Sequence, residues 1–267
     1  VVWARWALDA TIQLLCTTLV PYQRTTTYMP LSDSERFSGN EVLTDIKLNN
    51  PEILEVFNGW SDYIHSVMPK IEKWFKCVTE EPYAGAGVTD IHRKEVMAKG
   101  EQHIGFPEMA KFIDLRPGHN GYAGNDQEAF DFIYEVETKY YEFNERMIVE
   151  LGSRRNALCV IYPKGGYVGW HNNANASSYN LICTHSSTGE GYWKHRNPKT
   201  NEIEQIDDLV GWQAKASYFG AYVERDPETL IYHAAQCTGG YRMTVSWIFD
   251  RDNEDWWLDA IDELEAS

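Results

Sequence analysis

Two histidines, an asparagine and an arginine occupy positions from which their side chains could share one cavity. His171 and Asn173 stand two residues apart at the end of an alternating run, YVGWHNN (167–173), so on an extended strand both point to the same side. His233 lies in LIYHAA (230–235), and Arg242 follows nine residues later in YRMTVSWIF (241–249). There the alternation separates Tyr241, Met243, Val245, Trp247 and Phe249 from Arg242, Thr244, Ser246 and Ile248. The first face is wholly apolar and must be covered. If the second is covered too, a guanidinium and two hydroxyls are enclosed, and an enclosed guanidinium needs an anion because an unpaired buried charge is very costly. No Asp or Glu occurs from 165 to 189, so the expected partner is a carboxylate ligand taken by the arginine fork. The short Thr238-Gly239-Gly240 turn is read as making the strands of His233 and Arg242 neighbours. Two imidazoles and an amide oxygen on one face could then hold a divalent metal with coordination positions left open.

The elements that would position these residues are short and β-like. Eight runs follow Arg155: LCVIYPK (158–164), YVGWHNN (167–173), SYNLICTH (178–185), GYWKHRN (191–197), EIEQID (202–207), WQAKASYF (212–219), LIYHAA (230–235) and YRMTVSWIF (241–249). Turn-forming residues separate them, and Gly165-Gly166 reads as a two-residue hairpin turn joining the first pair. Strands at this spacing argue for an antiparallel sandwich or barrel.

Two helices precede them. One starts at Pro51, carries Ile53, Val56, Phe57, Trp60, Ile64, Val67 and Met68 at three- and four-residue steps, and continues weakly to about Val78 with a break expected before Pro69. The other is capped by Asn125-Asp126, carries Phe130, Ile133, Tyr134, Val136, Tyr140, Tyr141, Phe143, Met147 and Leu151, and ends at Gly152. Residues 1–50 read as irregular, and the glycine-rich stretch 80–125 as loop, either a substrate lid or disordered chain. The tail WWLDAIDELEAS reads as a final amphipathic helix laid on the outside.

Composition narrows the field further. The chain has 267 residues, 24 Lys+Arg against 40 Asp+Glu, and a formal charge of −16. That balance disfavours a duplex nucleic-acid partner bound through bulk charge. Segment 250–267 carries eight acidic residues and one basic, whereas 158–249 carries eight and seven, so a local site for an anionic small molecule stays possible. Thirteen per cent aromatic residues argue against disorder. Five scattered cysteines without a C-x-x-C pair fit buried thiols in a reducing compartment. No apolar run approaches the ~20 residues that cross a bilayer, and Arg5, Asp9 and Gln13 interrupt the opening segment. A cytoplasmic protein without membrane contact is expected.

From about Leu158 to Phe249, 92 residues, the chain resembles the 2-oxoglutarate/Fe(II)-dependent oxygenase superfamily, of the prolyl-hydroxylase-like kind found in marine tailed phages. GGYVGWHNN, LIYHAA and YRMTVSW carry the likeness. The resemblance implies a double-stranded β-helix (jelly roll) core, mainly β with flanking helices, hence α+β. It divides the chain into an N-terminal region with supporting helices (1–157), the core (158–249) and an acidic C-terminal helix (250–267).

It further implies Fe(II) on His171, Asn173 and His233, and 2-oxoglutarate as co-substrate with its far carboxylate on Arg242 and Thr244. Tyr162 would add a hydrogen bond to that carboxylate. Asn173 departs from the family pattern, which places Asp or Glu there. Three outcomes are open: iron binds nonetheless, a halide enters as in related halogenases, or catalysis is lost and the barrel persists as a scaffold.

The expected activity is oxidation, most simply hydroxylation, of a small-molecule or peptidyl substrate with formation of succinate and CO2. The alternative is a degenerate jelly roll acting as a phage structural or interaction protein, in host cytoplasm or virion. His65, His92, His103, His119, His185 and His195 read as ordinary core or surface residues. Trp170, Trp193 and Trp212 read as packing.

Overall fold

The computed structural model describes residues 43–79, 85–99, 107, 109–119, 121–122, 124, 126–153, 155–173, 179–219, 230–249 and 253–267. The expectation of irregular chain over residues 1–50 therefore falls mostly outside the described residues, as do His103 and Cys16. The described residues all belong to one compact unit.

Helix α1 spans Pro51–Trp74. The Asn50 side chain starts it by accepting hydrogen bonds from the Glu52 and Ile53 amides, and proline stands at the first turn, where no N–H is needed. Its buried stripe is Ile53, Phe57, Trp60, Ile64, Met68, Ile71 and Trp74. The helix does not break before Pro69; it runs through it. A mid-helix proline costs ~3 kcal/mol. Burial of Ile71, roughly 1.5–3 kcal/mol, together with that of Trp74, offsets the loss and keeps the last turn helical.

Helix α2 (Asp90–Lys99) and strand β4 (Ala110–Asp114) lie in the stretch expected to be loop. Only Val96 of α2 is buried, so its sequence carries little helical periodicity. Helix α3 (Gln127–Leu151) begins as expected, with Asp126 accepting from the Ala129 amide, and ends at Gly152 in the left-handed conformation, φ 60°. Phe130, Tyr134 and Tyr141, expected in its apolar stripe, are exposed instead. Helix α4 (Glu254–Glu265) buries Trp257, Leu258, Ile261 and Leu264, and the Leu264 carbonyl accepts from the Asn49 and Asn50 amides at the start of α1.

The eight expected strands form with small shifts of boundary. They are β6 (Arg155–Tyr162), β7 (Tyr167–His171), β8 (Tyr179–Ser186), β9 (Gly191–Arg196), β10 (Ile203–Asp207), β11 (Gly211–Tyr218), β12 (His233–Cys237) and β13 (Arg242–Phe249). Together with β1 (Thr44–Ile46), β3 (Val78–Thr79) and β4 they make one curled antiparallel sheet, ordered β1-β11-β8-β13-β6-β4-β7-β12-β9-β10 with β3 on β4. Strands β2 (Phe75–Lys76) and β5 (Gly121–Tyr122) form a separate pair. The order contains two four-stranded halves, β11-β8-β13-β6 and β7-β12-β9-β10, joined by β4. It is a double-stranded β-helix.

That order corrects two expectations. Gly165-Gly166 does not close a hairpin, because β6 pairs with β13 and β4 while β7 pairs with β4 and β12. Nor does Thr238-Gly239-Gly240 make β12 and β13 hydrogen-bonded neighbours: β12 pairs with β7 and β9, β13 with β6 and β8. Both tight turns carry the chain from one half to the other. A short connection limits distance but does not choose between pairing beside and crossing over, and here strand partners brought from elsewhere decide.

The interior between the halves holds Phe112, Val160, Tyr162, Val168, Ile182, Trp193, Phe219, Ile231 and Ala235. Outside the second half, Tyr167, Trp170, Tyr232 and Ala234 pack with Val88 and Val96. Outside the first, Trp247 packs against Phe57 of α1 and Phe143 of α3. Both faces of β13 are therefore covered, as the placement of Arg242 requires. Among the described residues no helix is long and apolar enough to cross a membrane.

Candidate metal centre

His171 ends β7 and His233 opens β12, directly opposite each other in register. Paired residues of antiparallel strands project to the same face, and the two ring centroids lie 4.2 Å apart. Each ring is anchored in the same way. His171 Nδ1 donates to the Gly169 carbonyl at 2.8 Å, and His233 Nδ1 donates to the Ile231 carbonyl at 3.0 Å. A proton held on Nδ1 leaves the lone pair on Nε2, which is how histidines are oriented toward a metal.

The backbone that anchors His171 is itself tightly enclosed. The Gly169 amide donates to the Met109 carbonyl at 2.8 Å, and a side chain at Gly169 would strike that carbonyl and Gly87. His233 packs against two aromatic rings, Trp193, 4.5 Å away and 12° from parallel, and Phe219, 5.0 Å and 15°, which also stack on each other at 6.2 Å. Trp193 thus packs, as read, but it packs on a candidate ligand. Burial first, then His171, hold the His233 pKa well below the ordinary value for histidine, and its backbone bond opposes them only in part. The ring is accordingly neutral, the form that binds metal.

Asn173 is half-buried, two residues beyond His171 where the chain leaves β7. Among the described residues no group of three or more His, Cys, Asp or Glu side chains is placed to hold a metal. A third ring, His195 on β9, stands opposite His233 on its other side and is 1% exposed. Its Nε2 lies 3.1 Å from Glu204. Its place in the sequence marks it as an ordinary residue, and only the strand register, which is non-local, brings it beside the pair.

Across the interior, Arg242, Thr244 and Tyr162 form one cluster, all buried. Arg242 stands opposite Tyr162 in register, with its guanidinium 5.3 Å from the centre of the Tyr162 ring. Arg242 donates through Nη1 to Thr244 and through Nη2 to Thr184 at 3.3 Å, and Tyr162 hydrogen-bonds Thr244. Burial raises the Tyr162 phenol to about 12, against the lowering influence of Arg242.

The expectation that no protein acid neutralises Arg242 is overturned. Arg242 Nε donates to Asp208 Oδ2 at 2.9 Å, with both side chains buried. Asp208 follows β10 and enters from the β10–β11 turn, beyond the acid-free stretch 165–189. Gln213 Nε2 donates to its other oxygen at 3.0 Å, and a Cβ at Gly191 would collide with Oδ2. The adjoining cavity, lined by Thr184, Trp193, Ile206, Asp208, Lys215 and Arg242, has a volume of about 10 Å³, room for a single water.

The two halves of the implied site thus differ in fit. The imidazole pair, with Nε2 lone pairs and backbone-held Nδ1 protons, suits a divalent metal. The Arg242 cluster does not accommodate 2-oxoglutarate in this arrangement, because its charge is matched and its cavity is too small for a dicarboxylate.

Three histidines also set an acid limit. His185, His195 and His233 are all shifted below 6.5, with burial the first cause in each. The unfolded chain takes up these protons from about pH 6.5 downward, so the native state keeps full stability above that pH and loses it below. Urea midpoints of the metal-free protein are expected to be lower at about pH 5.5 than at about pH 7.5. A midpoint that holds or rises on acidification contradicts this.

No protein-family model and no curated protein matches the sequence. Among solved structures, a prolyl-4-hydroxylase of Pseudomonas putida aligns at 11% identity over 69% of this chain and 98% of that one, with a TM-score of 0.28. A 2OG-Fe(II) oxygenase family oxidoreductase of Burkholderia pseudomallei aligns at 11% identity over 72% and 90%, with a TM-score of 0.30. The viral collagen prolyl hydroxylase of Paramecium bursaria Chlorella virus-1, solved with 2OG, aligns at 14% identity over 65% and 94%, with a TM-score of 0.28.

Proposed function

We propose that the chain is an Fe(II)-dependent oxygenase of the 2-oxoglutarate class, acting on a small-molecule or peptidyl substrate. One observation supports this most: two imidazoles face each other across paired strands, each with Nδ1 pinned to the carbonyl of the residue two before it. His171 and His233 would offer Nε2, and the Asn173 amide oxygen a third, uncharged donor. Bound Fe(II) would supply the activation of O2. The protein's part is to keep both rings in one tautomer, keep His233 neutral, and exclude water with Trp193 and Phe219. The buried thiols Cys159, Cys183 and Cys237 agree with a reducing, cytoplasmic setting.

Anaerobic Fe(II) titration followed by visible and near-infrared circular dichroism tests the reading. Ligand-field bands saturating at one equivalent support it, and their absence removes it. Asn173→Asp adds the missing negative charge and is expected to tighten Mn(II) binding by about 10–100-fold. Equal affinity in both proteins would take Asn173 away from the metal.

The Asp208–Arg242 ion pair favours a second reading, a jelly roll that has lost catalysis and serves as a structural or interaction protein. Under that reading no divalent metal binds at His171 and His233.

A further inference from the structure

We propose that Asp208 is an internal occupant of a carboxylate-binding position at Arg242, which an acidic ligand must displace to enter. The choice of 2-oxoglutarate as that ligand rests on the oxygenase reading; the exchange of carboxylates does not. The surroundings of Arg242 are those of a receptor for an anion: the hydroxyls of Thr244 and Thr184 accept from its two terminal nitrogens, and Tyr162 bonds Thr244. Asp208 supplies the anion through one oxygen, while Gln213 holds the other.

Its attachment to the chain makes Asp208 removable. It stands where β10 turns into β11, and the residues that follow, Leu209 and Val210, are 67% and 71% exposed. Gly211, at φ 87°, closes the turn in a conformation that glycine adopts freely. An outward swing of this turn would break the Asp208 bonds to Arg242 and Gln213, the Asp208 amide bond to the Gly191 carbonyl and the 3.5 Å contact of the Leu209 amide with Gln213, while Leu209 and Val210, already mostly exposed, have little burial to lose. It would also open the cavity beside Thr184 and Trp193, next to His233. A dicarboxylate replacing Asp208 restores the neutralised pair, because one carboxylate is exchanged for another on the same guanidinium.

Glutarate is the probe, because it carries two carboxylates and lacks the keto group needed to chelate a metal. Calorimetric titration of the metal-free full chain should show weak glutarate binding to the native protein. Asp208→Asn, which leaves the Arg242 charge unmatched, should bind at least about tenfold more tightly. Arg242→Met in the same background should abolish that gain. Unchanged glutarate affinity in folded Asp208→Asn overturns the proposal.

Should that variant fail to fold, Gln213→Ala loosens Asp208 without altering charge. It is expected to raise glutarate affinity severalfold, and equal affinity overturns the proposal in the same way. Mn(II) binding is measured separately on the native chain. Glutarate gain without Mn(II) binding supports the exchange and removes the oxygenase reading, whereas Mn(II) binding without glutarate gain does the reverse.

Discussion

His233→Ala is expected to weaken Mn(II) binding at least about 100-fold, because it removes one of only two imidazole donors and leaves a single ring beside an amide. The substitution also removes a ring that packs on both Trp193 and Phe219, so stability should fall as well. Affinity and stability must therefore be read separately, by electron paramagnetic resonance of free Mn(II) and by urea unfolding of the metal-free protein. His119→Ala, at an exposed position on the loop after β4, should leave both unchanged. If His233→Ala binds Mn(II) as the native chain does, the metal lies elsewhere.

The second large effect concerns the scaffold. Trp247 on β13 is wholly buried, its ring 6.1 Å from Phe57 and 6.2 Å from Phe143. It fastens helices α1 and α3 to the strand whose opposite face carries Arg242 and Thr244. Trp247→Ala should destabilise the fold by about 3–5 kcal/mol through lost burial and the cavity left behind. The indole N–H finds no hydrogen-bond partner among the described residues. Trp247→Phe gives up no hydrogen bond and should cost far less, about 1–2 kcal/mol. Equal losses for the two variants, measured by urea unfolding, would mean that ring packing against the helices is not what Trp247 contributes.

Local chemistry makes most of the elements legible in the sequence alone. Alternation within YRMTVSWIF separated the enclosed Arg242 face from the Trp247 face, and turn residues marked the strand ends to within a few positions. Asp126 and Gly152 announced both ends of α3. Signals failed where the outcome depended on distant partners. Pro69 promised a break, but burial of Ile71 and Trp74 against other elements kept α1 continuous. The tight turns at Gly165-Gly166 and Thr238-Gly239-Gly240 implied adjacent strands, yet β4, from a stretch with no recognisable period, entered between β6 and β7.

The candidate site shows the same division. His171 and His233 were legible from strand position, and their opposition across β7 and β12 follows from register. Asp208 was not, because an acid in a turn carries no sign of where it folds back. His195 became visible as a neighbour of His233 only through pairing of β9 with β12.

The claim beneath this account is that two backbone-anchored imidazoles present their Nε2 atoms to one divalent ion. Electron spin echo envelope modulation of the native chain loaded with one equivalent of Mn(II) reads this directly, since coordinated imidazole nitrogen modulates the echo. The account predicts coupling to two imidazole nitrogens, falling to one in His171→Ala. An echo with no nitrogen modulation, from Mn(II) held by oxygen alone or not held at all, would contradict it.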